Sequence, residues 1–261
     1  MARIVGSVDD LVAEIPDGSV LALPPDYSGC AMAAVAALIA RGPRGLHLVG
    51  VPSLGLQGDM LIAAGAVAIV EAAAVGLGER GGAPAFEAAI REGRIAMRDA
   101  TCPAIHAGLQ AAERGVDSMP VAGIVGSDLV RHRAGDWVVV PDPFTGHETV
   151  HVRAIRPDVA LFHAPVADRS GNVWIGVRRE LMTMAHASRK TLVTVERIVD
   201  HDLLAEDTTA AGTIPSLYVE AVAVARFGAR PLGLRGEYEA DEAAITAYLA
   251  QSRMSHASRA A

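Results

Sequence analysis

Ser19-Val20-Leu21-Ala22-Leu23, Pro24-Pro25-Asp26-Tyr27-Ser28-Gly29, Met32 to Ile39, Gly42-Pro43-Arg44-Gly45 and Leu46 to Val51 follow one another in a stretch whose reading decides the fold. The first run is short and apolar, as a buried strand requires. A Pro- and Gly-containing loop follows it. Met32, Val35, Ala36 and Ile39 then recur at helical spacing, and Gly42-Pro43 stops the helix. Leu46 to Val51 is a second apolar strand. Strand, helix, strand with short connections predicts a parallel pair joined by a crossover helix.

The alternation extends in both directions. Upstream, Ser7-Val8-Asp9-Asp10 reads as a capping box opening a helix that ends at Pro16-Asp17-Gly18. Downstream, helices are expected over 60–64, 84–92, 103–114, 180–187 and 241–250. Strands are expected over 67–75, 95–98, 121–125, 137–140, 149–155, 159–164, 191–195 and 219–224. Pro84 suits a first helical position. The expectation is one α/β domain over 1–251, an open, mainly parallel sheet flanked by helices, with residues 252–261 fraying.

Composition agrees. Of 261 residues, 51% are hydrophobic but only 4% aromatic, which suits Val/Ile strands covered by Ala- and Leu-rich helices. The net charge of −7, without a basic stripe, gives no reason to expect nucleic acid or an anionic membrane as partner. Cys30 and Cys102 are too few for a disulfide framework or a cysteine zinc site. A lone cysteine is ordinarily a small buried hydrophobe. No apolar run approaches the ~20 residues of a membrane helix, and the first residues lack a secretory signal's apolar core. A cytoplasmic protein is expected.

Two motifs invite misreading. His147-Glu148-Thr149-Val150-His151 matches the zinc-protease pattern, which works only on a helix, where positions i and i+4 share a face. Here a Pro143-Phe144-Thr145-Gly146 turn and β-branched residues predict a strand. Its two histidines would stand about 13 Å apart at ~3.3 Å per residue, too far to share an ion. Gly76-Leu77-Gly78-Glu79-Arg80-Gly81 matches a dinucleotide fingerprint. Pro84, however, would fall inside the helix that must begin within that motif. A loop before a helix starting at Pro84 is the better reading.

A series of segments carries more information. It comprises Gly55-Leu56-Gln57-Gly58-Asp59-Met60; Val75 to Gly78 with Pro84-Ala85-Phe86-Glu87; Met119-Pro120 through Gly126-Ser127-Asp128-Leu129; Asp142-Pro143-Phe144-Thr145-Gly146; Arg156-Pro157-Asp158-Val159-Ala160 with His163 and Asp168-Arg169-Ser170-Gly171-Asn172; and Val195-Glu196-Arg197, Ile214-Pro215 and Tyr238 to Glu242. In order and spacing these resemble the α subunits of family I coenzyme A transferases, the glutaconate-transferase branch in particular.

That resemblance implies the family's open α/β architecture and a heteromer with a β subunit. It implies ping-pong exchange of CoA between an acyl-CoA and a small carboxylic acid through a glutamyl-CoA thioester. CoA is then a substrate, and no permanently bound cofactor or metal is implied. The nucleophilic glutamate would lie on the β subunit, so no catalytic residue is expected here. This chain would line the shared site through Tyr27, Ser28 and Gly29, through Thr101 and Cys102, and through Gly126 and Ser127. Two features depart from the family. Pro24-Pro25-Asp26-Tyr27 stands where a Gly-Gly-Phe loop is usual, and Cys102 falls where succinyl-type relatives carry a glutamine. Glu196 is the within-chain alternative nucleophile, with a structural acid paired to a backbone group or a nearby base as the stronger reading. Asp168 and Arg169 read as a turn and an ion pair, and His163 as a satisfied core or interface histidine. A thioester or ring-opening hydrolase on the same fold, and a non-catalytic ligand-binding relative, are the competing functions.

Overall fold

The computed structural model describes residues 2–260, the last six by backbone alone. Strands occur at Arg3–Ile4 (β1), Val20–Leu23 (β2), Leu46–Gly50 (β3), Ser53–Leu54 (β4), Val67–Ala72 (β5), Ala74–Val75 (β6), Ala96–Asp99 (β7), Ser118–Val121 (β8), Trp137–Pro141 (β9), Glu148–Arg153 (β10), Val159–Asp168 (β11), Val173–Trp174 (β12), Lys190–Val199 (β13), Thr213–Ile214 (β14) and Ala221–Val224 (β15). Helices are Val8–Val12 (α1), Met32–Arg41 (α2), Leu56–Ala63 (α3), Pro84–Arg91 (α4), Cys102–Glu113 (α5), Asp128–His132 (α6), Arg179–Ala187 (α7), Asp207–Ala210 (α8) and Glu242–Ala260 (α9).

The main sheet runs β1-β15-β13-β11-β2-β3-β5-β7, with every neighbouring pair parallel. All ten residues of β11 are buried, because layers cover both faces of the sheet. Alternate residues serve opposite faces. Leu21, Leu23, Val159 and Leu161 join the core under α1 to α4. Ala22, Ala160 and Phe162 join the core shared with α5 and α7. Local signals act as expected: Ser7 Oγ caps α1 by accepting Asp10 N–H at 3.1 Å, Gly42 ends α2 in the left-handed region, and Pro84 opens α4.

Three features differ from the sequence expectation. The strand expected at 121–125 lies earlier, at Ser118–Val121, where it pairs with β10; Gly123 and Gly126 then turn the chain with positive φ. With β9 these strands form a separate antiparallel sheet, β8-β10-β9. The closing helix, expected to stop near Ala250 with a fraying tail, continues to Ala260. No helix among the described residues is long and apolar enough to cross a membrane. Both deceptive motifs take the expected local form: Glu148–His151 lies in β10, and Gly78–Arg80 is a single 3-10 turn before α4.

The small sheet is tied to the large one through a buried ionic cluster. Arg133, in the turn after α6, reaches Glu71 on β5 at 2.5 Å. It also donates to the Asp99 carbonyl at 3.1 Å and lies over the Trp137 ring at 5.0 Å. His47 Nε2 approaches the other Glu71 oxygen at 3.0 Å. These partners hold the Glu71 carboxyl below its ordinary range although burial pushes it the other way.

Candidate active site

The loop after β2 lies at the carboxyl ends of the strands, where open α/β sheets place their ligands. Gly29 fixes its course. The φ of Gly29 is +72°, and a Cβ there would lie 2.2 Å from the His163 carbonyl oxygen. The close approach lets Gly29 C=O accept His163 N–H at 2.7 Å. Ser28 is fully buried and donates its hydroxyl to Glu180 at the start of α7. Tyr27 is 62% exposed, its ring 5.2 Å from the Arg178 guanidinium.

Tyr27, Ser28 and Gly29 together line a cavity of about 200 Å³, with Trp174, Ile175 and Leu181 among its apolar residues. Tyr27, Arg178 and Leu234–Gly236 also border a larger, open cleft of about 820 Å³, whose other side carries Asp26, Leu54, Leu77 and Arg80. The two spaces therefore share one wall. No carboxylate pairs with Arg178 or Arg235 among the described residues.

Asp26 is the chemically unusual group of the cleft. Its carboxyl accepts a single N–H, that of Leu56 at the start of α3, at 2.9 and 3.1 Å. Burial pushes it up to about 6, against the opposing pull of the Leu56 N–H and Arg80. Gly55 makes room for it: a Cβ there would lie 2.2 Å from the carboxyl carbon.

Glu196, at the end of β13, has the opposite environment. One oxygen accepts from His163 Nε2 at 2.8 Å, Tyr238 Oη at 2.7 Å and Gly228 N–H at 3.1 Å. The other accepts Phe227 N–H at 2.7 Å. Those donors outweigh its partial burial and lower its pKa to about 2. His163 is itself fixed by Thr194 Oγ1 at 2.8 Å. The carboxylate is a hub that fastens the 227–238 segment to the sheet, with its lone pairs committed to donors.

The other expected positions stand apart. Thr101 caps α5, accepting Ala104 N–H at 3.3 Å, and Cys102 is exposed rather than a buried hydrophobe. Both follow β7, three sheet steps from β2, about 14 Å at ~4.8 Å per step. Gly126 (φ +80°) and Ser127, whose hydroxyl donates to the Ile124 carbonyl at 2.8 Å, form the turn into α6. None of the four lines either space. The α5 helix does approach through His106, which no motif singles out. Burial lowers its pKa and the Glu180 carboxylate opposes the shift.

The Coenzyme A transferase family profile matches residues 5–225. The chain belongs to the coenzyme A transferase family. Among relatives of this family member is the A-type chain of the 3-oxoadipate CoA-transferase of Pseudomonas knackmussii, 37% identical over 49% of the chain and 45% of the relative. The A-type chain of the Acidaminococcus fermentans glutaconate CoA-transferase is 29% identical over 73% of the chain and 64% of the relative. That enzyme's crystal structure superimposes with a TM-score of 0.86 at 25% identity, over 97% of this chain and 84% of the other. A variant of the decarboxylase AibA/AibB superimposes with a TM-score of 0.87 at 30% identity, over 99% and 97%. The matched stretch spans roughly half to two thirds of the curated relatives' length.

The most specific family-like segment, Asp168 to Asn172, is architectural in this transferase-family chain. The buried Asp168 carboxylate accepts the N–H groups of Ser170 (2.9 Å), Asn172 (3.0 Å) and Leu203 (3.2 Å), and the Asn172 side-chain amide (2.7 Å). It does not pair with Arg169, which meets Asp200 instead. Asp168→Ala would orphan four donors. Each buried orphan costs about 1–3 kcal/mol, so a loss near ~3 kcal/mol is expected after partial rehydration. Urea unfolding measures it, and a loss under ~1 kcal/mol would contradict the architectural role.

Proposed function

We propose that the chain is the α-type subunit of a heteromeric CoA transferase. The complex moves CoA between an acyl-CoA and a carboxylic acid through a glutamyl-CoA thioester, with the nucleophilic glutamate on the partner β subunit. The observation that carries this reading is the paired site. A small apolar cavity suits an acyl group, and the open cleft beyond Tyr27 and Arg178 suits the long polar arm of CoA. Family membership and the A-type relatives support the partner assignment. Glu196 supports it too, since a carboxylate held by four donors is a poor nucleophile, leaving the covalent step to another chain. Tyr27, Ser28 and Gly29 line the acyl side; Thr101, Cys102, Gly126 and Ser127 line neither space and are given no role in it.

A second reading is favoured by the near-complete overlap, at similar chain length, with the decarboxylase. On that reading the same cavities would hold an acyl-CoA that loses carbon dioxide and keeps its thioester.

Co-purification with a β-type subunit tests both. The complex is incubated with acyl-CoA, trapped with borohydride and weighed intact. A CoA-dependent adduct on the partner alone is the expected result. Carbon dioxide release with an intact thioester would select the decarboxylase, and steady release of free CoA would select a hydrolase. No complex and no turnover would leave a binding protein.

A further inference from the structure

Two acids, Asp26 in the larger cleft and Glu196 behind the segment that walls it, have been driven in opposite directions by their surroundings. Glu196 is surrounded by donors. Asp26 receives one backbone N–H and the weak Cys30 thiol donor, and is otherwise held with little compensation at the edge of the larger cleft. Environments that separate two carboxyls in this way distinguish a group that exchanges protons from one that only holds structure. The position of Asp26 indicates what it would act on. With the acyl group in the small cavity and the CoA arm in the cleft, the thioester crosses the shared wall at Tyr27. Asp26, one residue earlier, lines only the cleft and so lies on the sulfur side of that bond.

Resting on the reading that this chain handles CoA thioesters, we propose that the Asp26 carboxyl is the acid–base partner of the CoA sulfur. When a carboxylate oxygen of the partner subunit's glutamate bonds to the acyl carbon and the thioester C–S bond breaks, the C–S electron pair goes to sulfur. The Asp26 O–H bond then breaks and an S–H bond forms. In the reverse direction the Asp26 carboxylate removes the thiol proton and regenerates the attacking thiolate. Alkyl thiols ionise near ~8.5, so an unassisted thiolate is a costly leaving group at lower pH.

Arg178, Arg235, Glu79, Glu239 and Glu242 line the same cleft, but the charges that act on Asp26 are those of Arg80 and Asp59. Arg80 favours its ionised form but is engaged with Glu242, the Nε–Oε2 contact being 2.9 Å. Asp59 opposes ionisation; its oxygens accept Phe86 N–H at 2.9 Å and Tyr248 Oη at 2.8 Å. The Cys30 thiol, 4.0 Å from Oδ1, is itself pushed well up by burial and stays protonated. Asp26 thus titrates near 6. Its donor form is full below that pH and is lost as pH rises through it.

The experiment compares the assembled complex with its Asp26→Asn variant on two substrates: an acyl-CoA, and the same acyl group on an aryl thiol, whose thiolate leaves without a proton. Asparagine keeps the acceptor for Leu56 N–H, so helix α3 retains its cap. The expected result is a loss of about 10²-fold in kcat on the acyl-CoA, the usual worth of general acid catalysis, and a loss within about threefold on the aryl thioester. In the parent, acyl-CoA cleavage should fall above about pH 6 while aryl thioester cleavage does not. This parent profile decides the matter even if the variant fails to assemble. Equal losses on both substrates, no loss on either, or a parent profile identical for the two would overturn the proposal while leaving the transferase reading intact. A parent complex that turns over no CoA thioester would remove both.

Discussion

Replacing Glu196 with alanine is expected to melt the chain at lower temperature and to cripple the assembled complex. Four donors converge on this carboxylate, and their loss has two consequences. The fully buried His163 loses the partner of its Nε2 atom, and so does the Tyr238 hydroxyl. Phe227 sits at φ +56°, a left-handed conformation costly for an aromatic residue, and its N–H is held by Glu196. Summed over the donors and partly offset by water, a loss of about 3 kcal/mol is expected. That corresponds to a fall of roughly 6–12 °C in Tm for a chain of this size. The activity loss should be larger in proportion. Leu234–Gly236, the wall shared by the two cavities, belongs to the segment that Glu196 fastens. A displacement of about 1 Å costs on the order of 10²-fold in rate. Scanning calorimetry and turnover of the complex check both parts. An unchanged Tm would remove the hub role, and a borohydride-trapped adduct on Glu196 in the parent complex would make the carboxylate a nucleophile.

The pH dependence has a definite sign. The folded-state pKa of Glu196, about 2, lies below its ordinary 4.5. Its stabilisation is therefore fully present above about pH 4.5 and is lost as pH falls from there towards 2. The alanine variant should lose less stability than the parent over that interval.

The parallel sheet is legible in the sequence because its strands are continuous apolar runs separated by Gly and Pro, and β2-α2-β3 already contains the pattern. The small sheet is less legible. Its strands carry exposed residues such as Val138 and Val139, and no local spacing says which strands pair. The site is legible where a loop follows a strand, as at Tyr27-Ser28-Gly29. It is obscure where chain segments far apart meet. Arg178 and Arg235 belong to no motif, and only the folded chain sets them on one wall with Tyr27. Asp26 is visible only as a departure from a glycine loop. Its meaning depends on Gly55, well along the chain, leaving space for its carboxyl. Asp168-Arg169-Ser170-Gly171-Asn172 illustrates the converse. A segment specific enough to suggest a family can owe its composition to one buried carboxylate that organises a turn.

The same distinction between a paired and an unpaired buried charge governs the cluster joining the two sheets. Arg133→Met is expected to destabilise the chain by about 3–5 kcal/mol, because it leaves the Glu71 carboxylate buried with its main cation gone. The arginine and glutamate side chains are only 6% and 5% exposed, so water cannot readily replace the lost partner. The substitution also removes the bond to the Asp99 carbonyl and the stacking on Trp137, so the β8-β10-β9 sheet should loosen from β5 and β7 before the rest unfolds. Faster amide exchange confined to 118–153 would report that. Because its neighbours depress the Glu71 pKa, the cluster's contribution is present above the unfolded value of 4.5 and fades as pH falls below it. Adding Glu71→Leu to Arg133→Met removes the stranded charge and should recover most of the loss, since a buried pair replaced by apolar groups is often neutral. A double variant as unstable as the single one would show that packing of the arginine, and not its charge, joins the two sheets.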